Sequence, residues 1–191
     1  MKVINAPEKY NLQENEVSVF LAGGITNCPN WQKEIITGID KAEYGSSIVV
    51  FNPRRENFPI HIPSAADEQI KWEFTQLNKM DIFSMYFCES DSDQPICMYE
   101  LGRYISEMQK RFPIDWKDRI IISVENGYKR INDVLVQSRL ACGKIFINTG
   151  QPQVEVLRDL HIKQIIKAYR HIRGGGINDI NYYDSNLFYH S

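Results

Sequence analysis

The sequence predicts an α/β protein in which one parallel sheet carries helices on both faces. Short apolar runs rich in Val, Ile and Phe alternate along the chain with stretches whose apolar residues recur at helical spacing. Strands that alternate with helices in this way are joined by crossovers and pair in parallel. The length of 191 residues suits one domain that is long enough to bury a core.

Five strands are predicted from the apolar runs. They cover residues 17–22, 47–51, 79–87, 119–124 and 144–147. Gly23 and Gly24 close the first strand, and Asn52 and Pro53 stop the second. We expect the strand order 2-1-3-4-5 of flavodoxin-like and other Rossmann-like sheets.

Five helices are predicted between and after these strands. The first begins near Asn30, the second is capped by Ser64, and the third has Pro95 as its first residue. The fourth covers residues 131–140, and the fifth runs from about 154 to 172. On the second helix one face is shared by Ala66, Ile70, Glu73, Phe74 and Leu77. The core stripe of the third helix is Cys97, Leu101, Ile105 and Met108.

The bulk composition excludes several classes of function. Formal net charge is −2 and no long basic run occurs, so a nucleic-acid polymer is not an expected partner. No apolar run approaches the ~20 residues of a membrane helix, and the amino-terminal segment lacks the apolar core of a signal peptide. The four cysteines are scattered, as expected for buried thiols in a reducing compartment. These features predict a cytoplasmic protein with one domain over residues 1–191, of which 177–191 form an aromatic tail.

No common cofactor or metal motif is present. Gly23 and Gly24 follow the first strand, but the full GxGxxG pattern is absent and no acidic residue closes the second strand. A P-loop and a GxSxG elbow are also missing, and the four histidines are scattered. We therefore predict neither a metal nor an organic cofactor. The glycine pair stays open to two interpretations, a structural turn or a turn whose N–H groups approach a ligand.

Carboxylates are the remaining candidates for chemistry. Asp91 and Asp93 follow the third strand, and Glu100 lies one turn inside the next helix. Because ligands bind beyond the carboxyl ends of parallel strands, these three side chains are expected at the mouth of one pocket. Each has a simpler explanation, since the aspartates could cap the helix. Glu100, and Glu73 on the preceding helix, could be solvated surface residues.

Six short segments occur in a distinctive order along the first half of the chain. They are FLAGGI (20–25), NW (30–31), NPRR (52–55), WE (72–73), KMDI (79–82) and YELGR (99–103). In this order they resemble the nucleoside 2-deoxyribosyltransferase-like family, with weaker similarity as far as about residue 140. The resemblance implies an enzyme of nucleoside salvage. Such an enzyme cleaves the N-glycosidic bond of a 2′-deoxynucleoside through a covalent glycosyl–glutamate intermediate and transfers the sugar to another base.

The resemblance also implies roles for individual residues. The glutamate of the family's x-Glu-Leu-Gly motif is the nucleophile, which here is Glu100. Glu73 stands where the transferases carry an aspartate that contacts the nucleobase. Another aspartate of the family lies six residues before the nucleophile. That position is Gln94 in this chain, and Asp93 one residue earlier is the expected counterpart. Asn132 matches an asparagine that reaches the sugar from a neighbouring subunit.

The expected site therefore has a catalytic and a substrate-binding group of residues. The catalytic group is Glu100, Asp93 and Glu73. The substrate-binding group is Gly23, Gly24, Ile25, Asn52, Arg54, Asp91 and Asn132. We expect a hydroxyl or a backbone N–H group to keep Glu100 ionised, with Tyr99 and Tyr86 as candidates. The expected partners are a small-molecule nucleoside or nucleotide, a free nucleobase and further copies of the chain in a homodimer or larger homo-oligomer.

Two other functions stay open. Nucleoside and nucleoside 5′-monophosphate N-glycosidases, in which water resolves the intermediate, resemble the chain through the same YELGR segment. The monophosphate enzymes carry a serine that meets the phosphate, and here Ser92 lies between two aspartates that would repel one. Arg54 and Arg55 nevertheless keep a nucleotide substrate open. The alternative of another class is a non-catalytic nucleotide sensor, since a fold does not fix function.

Overall fold

Six parallel strands form the central sheet in the part of the chain that the computed structural model describes, residues 1–42, 47–143, 147–151 and 153–174. The strands are β1 Lys2–Asn5, β2 Val17–Gly23, β3 Ile48–Asn52, β4 Ile82–Phe87, β5 Ile120–Val124 and β6 Ile147–Asn148. Their order is β1-β3-β2-β4-β5-β6, and every neighbouring pair is parallel. The predicted α/β class and the doubly wound strand order are confirmed.

The predicted number of five strands is wrong, because β1 adds a sixth strand at the edge beside β3. Among its four residues only Ile4 is buried. An edge strand hydrogen-bonds to a neighbour on one side only, so a four-residue segment with only two apolar residues can form one. A search for apolar runs therefore misses it. Most of the expected strand at 144–147 and the expected tail at 177–191 lie outside the described residues.

Helices cover both faces of the sheet. They are α1 Trp31–Lys41, α2 Ser64–Leu77, α3 Pro95–Arg111, α4 Ile131–Cys142 and α5 Val154–Ile172, with a 3₁₀ turn at Trp116–Arg119. The core on one face packs α1 and α5 against the sheet through Trp31, Ile35, Leu157 and Ile165. The core on the opposite face packs the other three helices through Trp72, Leu77, Leu101 and Val134. None of the helices in these described ranges is long and apolar enough to cross a membrane.

Helix α2 turns a different face to the core from the one predicted. Its buried residues are Ala65, Trp72, Gln76 and Leu77. The ring of Trp72 lies 6.1 Å from that of Phe20 and 6.2 Å from that of Phe51, so this large side chain sets the rotation of the helix. Ile70 and Phe74 are exposed instead. Helix α2 therefore leaves an apolar stripe on the surface.

The starts of α2 and α3 differ from the predicted caps. Pro63 precedes the first turn of α2, and Ser64 is a helical residue that caps nothing. Helix α3 begins at Pro95 as predicted, but the residue at its N-cap is Gln94 in the left-handed conformation, with φ 48° and ψ 53°. Neither aspartate of the preceding loop caps the helix. The buried stripe of α3 contains all four predicted residues, Cys97, Leu101, Ile105 and Met108.

A buried polar chain lies between the sheet and α5. The side chain of His161 is fully buried, and its two ring nitrogens lie 2.7 Å from the hydroxyl oxygens of Ser84 and Ser123. Asn148 donates to the same Ser123 hydroxyl at 2.9 Å. Burial lowers the pKa of His161 to about 3, so the ring is neutral and one nitrogen donates while the other accepts. The network links β4, β5 and β6 to α5.

Replacing His161 by Gln is expected to change how stability depends on pH. The unfolded chain protonates this histidine below its ordinary pKa near 6.5, whereas the folded chain does so only near 3. The free energy of unfolding of the natural chain therefore falls by ~1.4 kcal/mol per pH unit below about 6.5 because of this group alone. Urea unfolding from pH 7 to 4 should show a slope shallower by that amount in His161→Gln. The exposed His61→Gln is the control, and equal slopes in all three proteins would contradict the prediction.

Candidate active site

A cavity of about 260 Å³ opens at the carboxyl edge of the sheet, where β2, β3 and β4 end. It is lined by Phe20, Ala22, Gly23, Gly24, Ile25, Thr26, Pro53, Glu73, Ser92, Gln94, Pro95, Ile96, Cys97 and Glu100. These residues come from the ends of β2 and β3, from α2, and from the loop and first turns of α3. The cavity lies where ligands bind in doubly wound sheets.

The glycine turn after β2 forms one wall of the cavity as backbone. Gly23 has φ +151°, and a Cβ atom there would lie 2.3 Å from the carbonyl oxygen of Tyr86 and 2.6 Å from the ring of Trp31. Only glycine fits such an approach. The indole N–H of Trp31 donates to the Gly24 carbonyl at 2.9 Å and fixes the turn. The two interpretations of the glycine pair are thus compatible, because a structurally required turn also borders the cavity.

A hydrogen-bonded carboxylate supports this wall from behind. Glu125 follows β5 and is buried. It accepts from the hydroxyl of Tyr86 at 2.8 Å and from the backbone N–H of Glu89 at 2.6 Å, and Arg158 lies 3.5 Å away. The Tyr86 ring stacks on Trp31 at 4.9 Å, so the network extends to the glycine turn. The suggestion that Tyr86 holds Glu100 is wrong, since its hydroxyl is used by Glu125.

Two carboxyl groups, those of Glu73 on α2 and Glu100 on α3, face the cavity. Burial raises the pKa of Glu100, the charge of Glu73 raises it further, and it reaches about 8. Among the described residues no hydrogen bond or ion pair reaches the Glu100 carboxyl group, so nothing offsets the cost of its ionisation. Burial also raises the pKa of Glu73. At neutral pH Glu100 therefore keeps its proton.

Gln69, one turn before Glu73, orients that carboxyl group. Its amide nitrogen donates to Glu73 at 2.8 Å and to the carbonyl oxygen of Pro53 at 2.7 Å. The first of these bonds lowers the pKa of Glu73 and partly opposes the effect of burial. The loop after β3 and helix α2 are thereby tied together on one side of the cavity. Gln69 is not among the residues predicted from the sequence, although an amide one turn before a functional acid is a recognisable helical spacing.

The two aspartates of the loop before α3 lie outside the cavity. Asp91 and Asp93 are exposed, and their backbone carbonyls, rather than their side chains, accept hydrogen bonds from Lys129 and Tyr128. Between and after them, Ser92 and Gln94 line the cavity instead. The expected convergence of three carboxylates is thus replaced by the pair from α2 and α3. A catalytic role for Asp93 stays a prediction that this placement does not support.

The predicted binding residues of the β3 loop have structural partners. Asn52 ends β3, donates to the side chain of Asn5 at 2.9 Å and accepts from the N–H of Arg54. The Arg54 guanidinium donates to Gln32 at 2.9 Å and to the carbonyls of Ile25, Cys28 and Pro29. Neither Asn52 nor Arg54 lines the cavity. Arg54 instead holds the loop after β2 against the sheet through its Nε and Nη2 atoms.

The remaining predicted residues divide between the cavity and the surface. Gly23, Gly24 and Ile25 line the cavity. Asn132 is exposed in the first turn of α4 and does not line it, so a contact with a neighbouring subunit's site stays a prediction. Within the described ranges, no group of three or more His, Cys, Asp or Glu side chains is arranged to hold a metal ion.

The fold and the cavity together define a class, an α/β protein with a Rossmann-like sheet and a half-buried carboxyl pair in a cavity at the carboxyl edge of the sheet. A sequence profile described as "Nucleoside 2-deoxyribosyltransferase like" matches residues 16–114, more than half of the chain. The chain belongs to the nucleoside 2-deoxyribosyltransferase-like family. This membership indicates small nucleoside substrates. A search of curated proteins gives no match.

Glu100→Gln is expected to become more stable than the natural chain as pH rises. The folded-state pKa of Glu100 is about 8, above its ordinary value of 4.5, so the folded chain holds this proton more tightly than the unfolded one. The natural chain therefore loses stability between pH 4.5 and 8, and the glutamine variant does not. Urea unfolding at pH 5, 6.5 and 8 measures the difference. Glu155→Gln, at an exposed position on α5, is the control, and a constant difference for Glu100→Gln would contradict the assignment.

Proposed function

We propose that the protein is a nucleoside 2-deoxyribosyltransferase that breaks the N-glycosidic bond of a 2′-deoxynucleoside and moves the sugar to a second base. The observation that carries the proposal is the pair of half-buried carboxyl groups, Glu73 and Glu100, that line the cavity. Buried acids with raised pKa values that face a cleft are typical of functional sites. One proton on two carboxyl groups supplies both an acid and a nucleophile, which is what this bond cleavage requires.

In the first step, ionised Glu100 attacks C1′ of the sugar. A C–O bond forms at C1′ as the C1′–N bond breaks, and the departing base nitrogen takes its proton from Glu73. In the second step, a nitrogen of the incoming base attacks C1′ and gives its proton to Glu73. The C–O bond breaks and restores the Glu100 carboxylate, so atoms and charges balance over the cycle.

The proton must leave Glu100 before it can attack. In the free protein the proton favours Glu100, because its pKa is about 8. Positive charge develops at C1′ as the glycosidic bond weakens, and this charge stabilises an ionised Glu100 in a cavity where few other groups do so. The proton then resides on Glu73, next to the leaving base. Transfer to water instead of a base would make the same site an N-glycosidase.

Glu100→Ala is expected to abolish base release, because it removes the group that traps the C1′ cation. Loss of a covalent nucleophile costs several powers of ten in rate, roughly 4 kcal/mol or more of transition-state stabilisation. Base exchange on a panel of nucleosides, with and without a second base, separates transfer from hydrolysis by its products. Asp93→Ala is the matched control and should keep most of the turnover, since its side chain lies outside the cavity.

The covalent intermediate gives an independent check on Glu100. A 2-fluoro-2-deoxynucleoside reacts slowly because fluorine destabilises the cation, so the peptide that contains Glu100 should gain the mass of the fluorosugar. An adduct on another residue, or high turnover by Glu100→Ala, would show that Glu100 is not the nucleophile. Ligand binding without any turnover in the natural chain would favour the nucleotide sensor.

Glu73→Gln is expected to move the pH profile and to slow the reaction. The proposed active form holds one proton on the pair, so kcat/KM of the natural chain should fall as pH rises through about 8, and this fall should disappear in Glu73→Gln, which has no proton to donate. Loss of the acid should lower kcat by ~10²–10⁴-fold, least for bases that leave easily. Glu68→Gln, one turn earlier and exposed on α2, is the control. A Glu73→Gln profile that still falls near pH 8 would mean that Glu73 does not supply the proton.

We further propose that the protein assembles as a homodimer or larger homo-oligomer through the apolar surface around the cavity. This surface consists of Phe58, Ile60, Ile62, Ile70, Phe74, Ile96 and Tyr99, all exposed. The guanidinium of Arg103 lies 4.8 Å from the Phe74 ring, which joins the α2 and α3 parts of the surface. Exposed apolar side chains that together form one surface mark interaction sites. Ile96 also lines the cavity, so a second copy would border its mouth.

Phe74→Glu should convert the assembly to monomers, because a charge would be buried among apolar groups. Light scattering at micromolar concentration measures the mass. Leu140→Glu is the control, since Leu140 is similarly exposed but lies on α4, away from this surface. A natural chain that is already monomeric would contradict the assembly and leave the chemistry of the carboxyl pair untouched.

A further inference from the structure

An amide on α2 lies behind two of the residues that line the cavity. Gln69 is not itself a lining residue, but its amide nitrogen donates to the Pro53 carbonyl at 2.7 Å and to Oε1 of Glu73 at 2.8 Å. Pro53 and Glu73 both line the cavity. The two hydrogens of this nitrogen are therefore used by one fixed backbone group and one carboxyl group.

The orientation of the Gln69 amide is fixed. A flipped amide would place its oxygen against the Pro53 carbonyl oxygen, which can only accept. The observed orientation leaves Oε1 of Gln69 buried and without a partner in the part of the chain that the structure describes. A buried oxygen without a donor costs free energy, so the two acceptors set the orientation despite this cost. Gln69 therefore presents an N–H group, and never an acceptor, to Glu73.

The two oxygens of the Glu73 carboxyl group are consequently unequal. Oε1 accepts from Gln69, and within the described ranges no other donor reaches this carboxyl group. Oε2 has no partner there and keeps contact with solvent, since Glu73 is half-buried and lines the cavity. An oxygen that already accepts a hydrogen bond is the poorer site for a proton. A proton on Glu73 therefore resides on Oε2.

The hydrogen bond from Gln69 also strengthens when Glu73 loses its proton. A hydrogen bond to a carboxylate is roughly twice as strong as one to a neutral acceptor. The bond accordingly lowers the pKa of Glu73, against the larger effect of burial. Stabilisation that grows as the proton moves to a leaving base acts on the transition state more than on the bound substrate, so it raises kcat.

We propose that Gln69 is a positioning residue, which holds Oε1 of Glu73 against the loop after β3 and leaves Oε2 as the atom that gives a proton to the leaving base. The inference rests on the proposed function for the reaction in which Glu73 acts. The O–H bond at Oε2 breaks as the N–H bond of the departing base forms. The charge left on the carboxylate is stabilised by the Gln69 N–H group. Gln69 touches no reacting atom and acts through Glu73.

Base release by variants of Gln69 tests this role. Gln69→Met keeps the length of the side chain and loses both N–H donors, so kcat should fall about 10-fold while KM changes little. The loss should be largest for 2′-deoxynucleosides whose bases leave poorly and should vanish for bases that leave without a proton. Gln137→Met, at an exposed position on α4, is the control and should keep the natural kcat. If Gln69→Met does not fold, Gln69→Leu removes the same donors.

A double variant separates action through Glu73 from general damage. In Glu73→Gln there is no acid to position, so the addition of Gln69→Met should cost no further activity. The comparison uses the natural chain, the two single variants and the double variant on one substrate. A second loss of the full size in the double variant would show that Gln69 supports the fold rather than the acid.

NMR titration of the carboxyl carbons in the free protein gives a measurement without turnover. The Glu73 signal is assigned by its absence from Glu73→Gln. Its titration midpoint should be higher in Gln69→Met than in the natural chain, because the hydrogen bond that lowers the pKa of Glu73 is lost. Gln137→Met should leave this midpoint unchanged.

The outcomes are distinct. If the natural chain releases no base, the proposed function fails, and the role of Gln69 in that reaction fails with it. If base is released but the loss in Gln69→Met is equal for all bases, or the Glu73 midpoint does not move, this inference alone is overturned. A graded loss of kcat that disappears in the Glu73→Gln background, together with a raised midpoint, supports it.

Discussion

The close approach of β2 to β4 at Gly23 is the constraint on which the cavity depends. Any side chain at this position would collide with the Tyr86 carbonyl and the Trp31 ring. Only glycine at position 23 therefore lets the backbone pass over the sheet edge. The hydrogen bond from the Trp31 indole N–H to the Gly24 carbonyl then holds the turn. Glu125 fixes Tyr86 from the opposite side. One cavity wall is consequently bare backbone, and most polar side chains come from α2, α3 and the loop before α3.

Ionisation of Glu100 in this cavity lowers the stability of the fold. Burial and the neighbouring Glu73 raise the pKa of Glu100 to about 8, and no donor among the described residues relieves it. A fold optimised only for stability would place apolar residues there. The same cost becomes useful in the proposed reaction, because a cation at C1′ is stabilised most by a carboxylate that is poorly solvated.

Several residues illustrate where sequence patterns are ambiguous. Asp93 and Gln94 are adjacent in the sequence. Asp93 was predicted because a carboxyl group can take part in acid–base chemistry. The left-handed backbone at Gln94 instead places its amide in the cavity wall. Arg54 was expected to bind substrate, but its donors hold the loop after β2. On α2, helical periodicity favoured Ile70, whereas the volume of Trp72 decided which face packs on the sheet. Loop conformation and packing are not readable from local spacing.

The sequence by itself determined the α/β class, five of the six strands in their order, and the segments of the family, because buried strands and helices leave periodic apolar patterns. It also singled out Glu73 and Glu100. Only the tertiary structure decided that these two share one cavity, that Gln94 rather than Asp93 joins them, and that β1 extends the sheet. Burial, charge coupling and edge pairing arise between residues distant in sequence, so no local pattern encodes them.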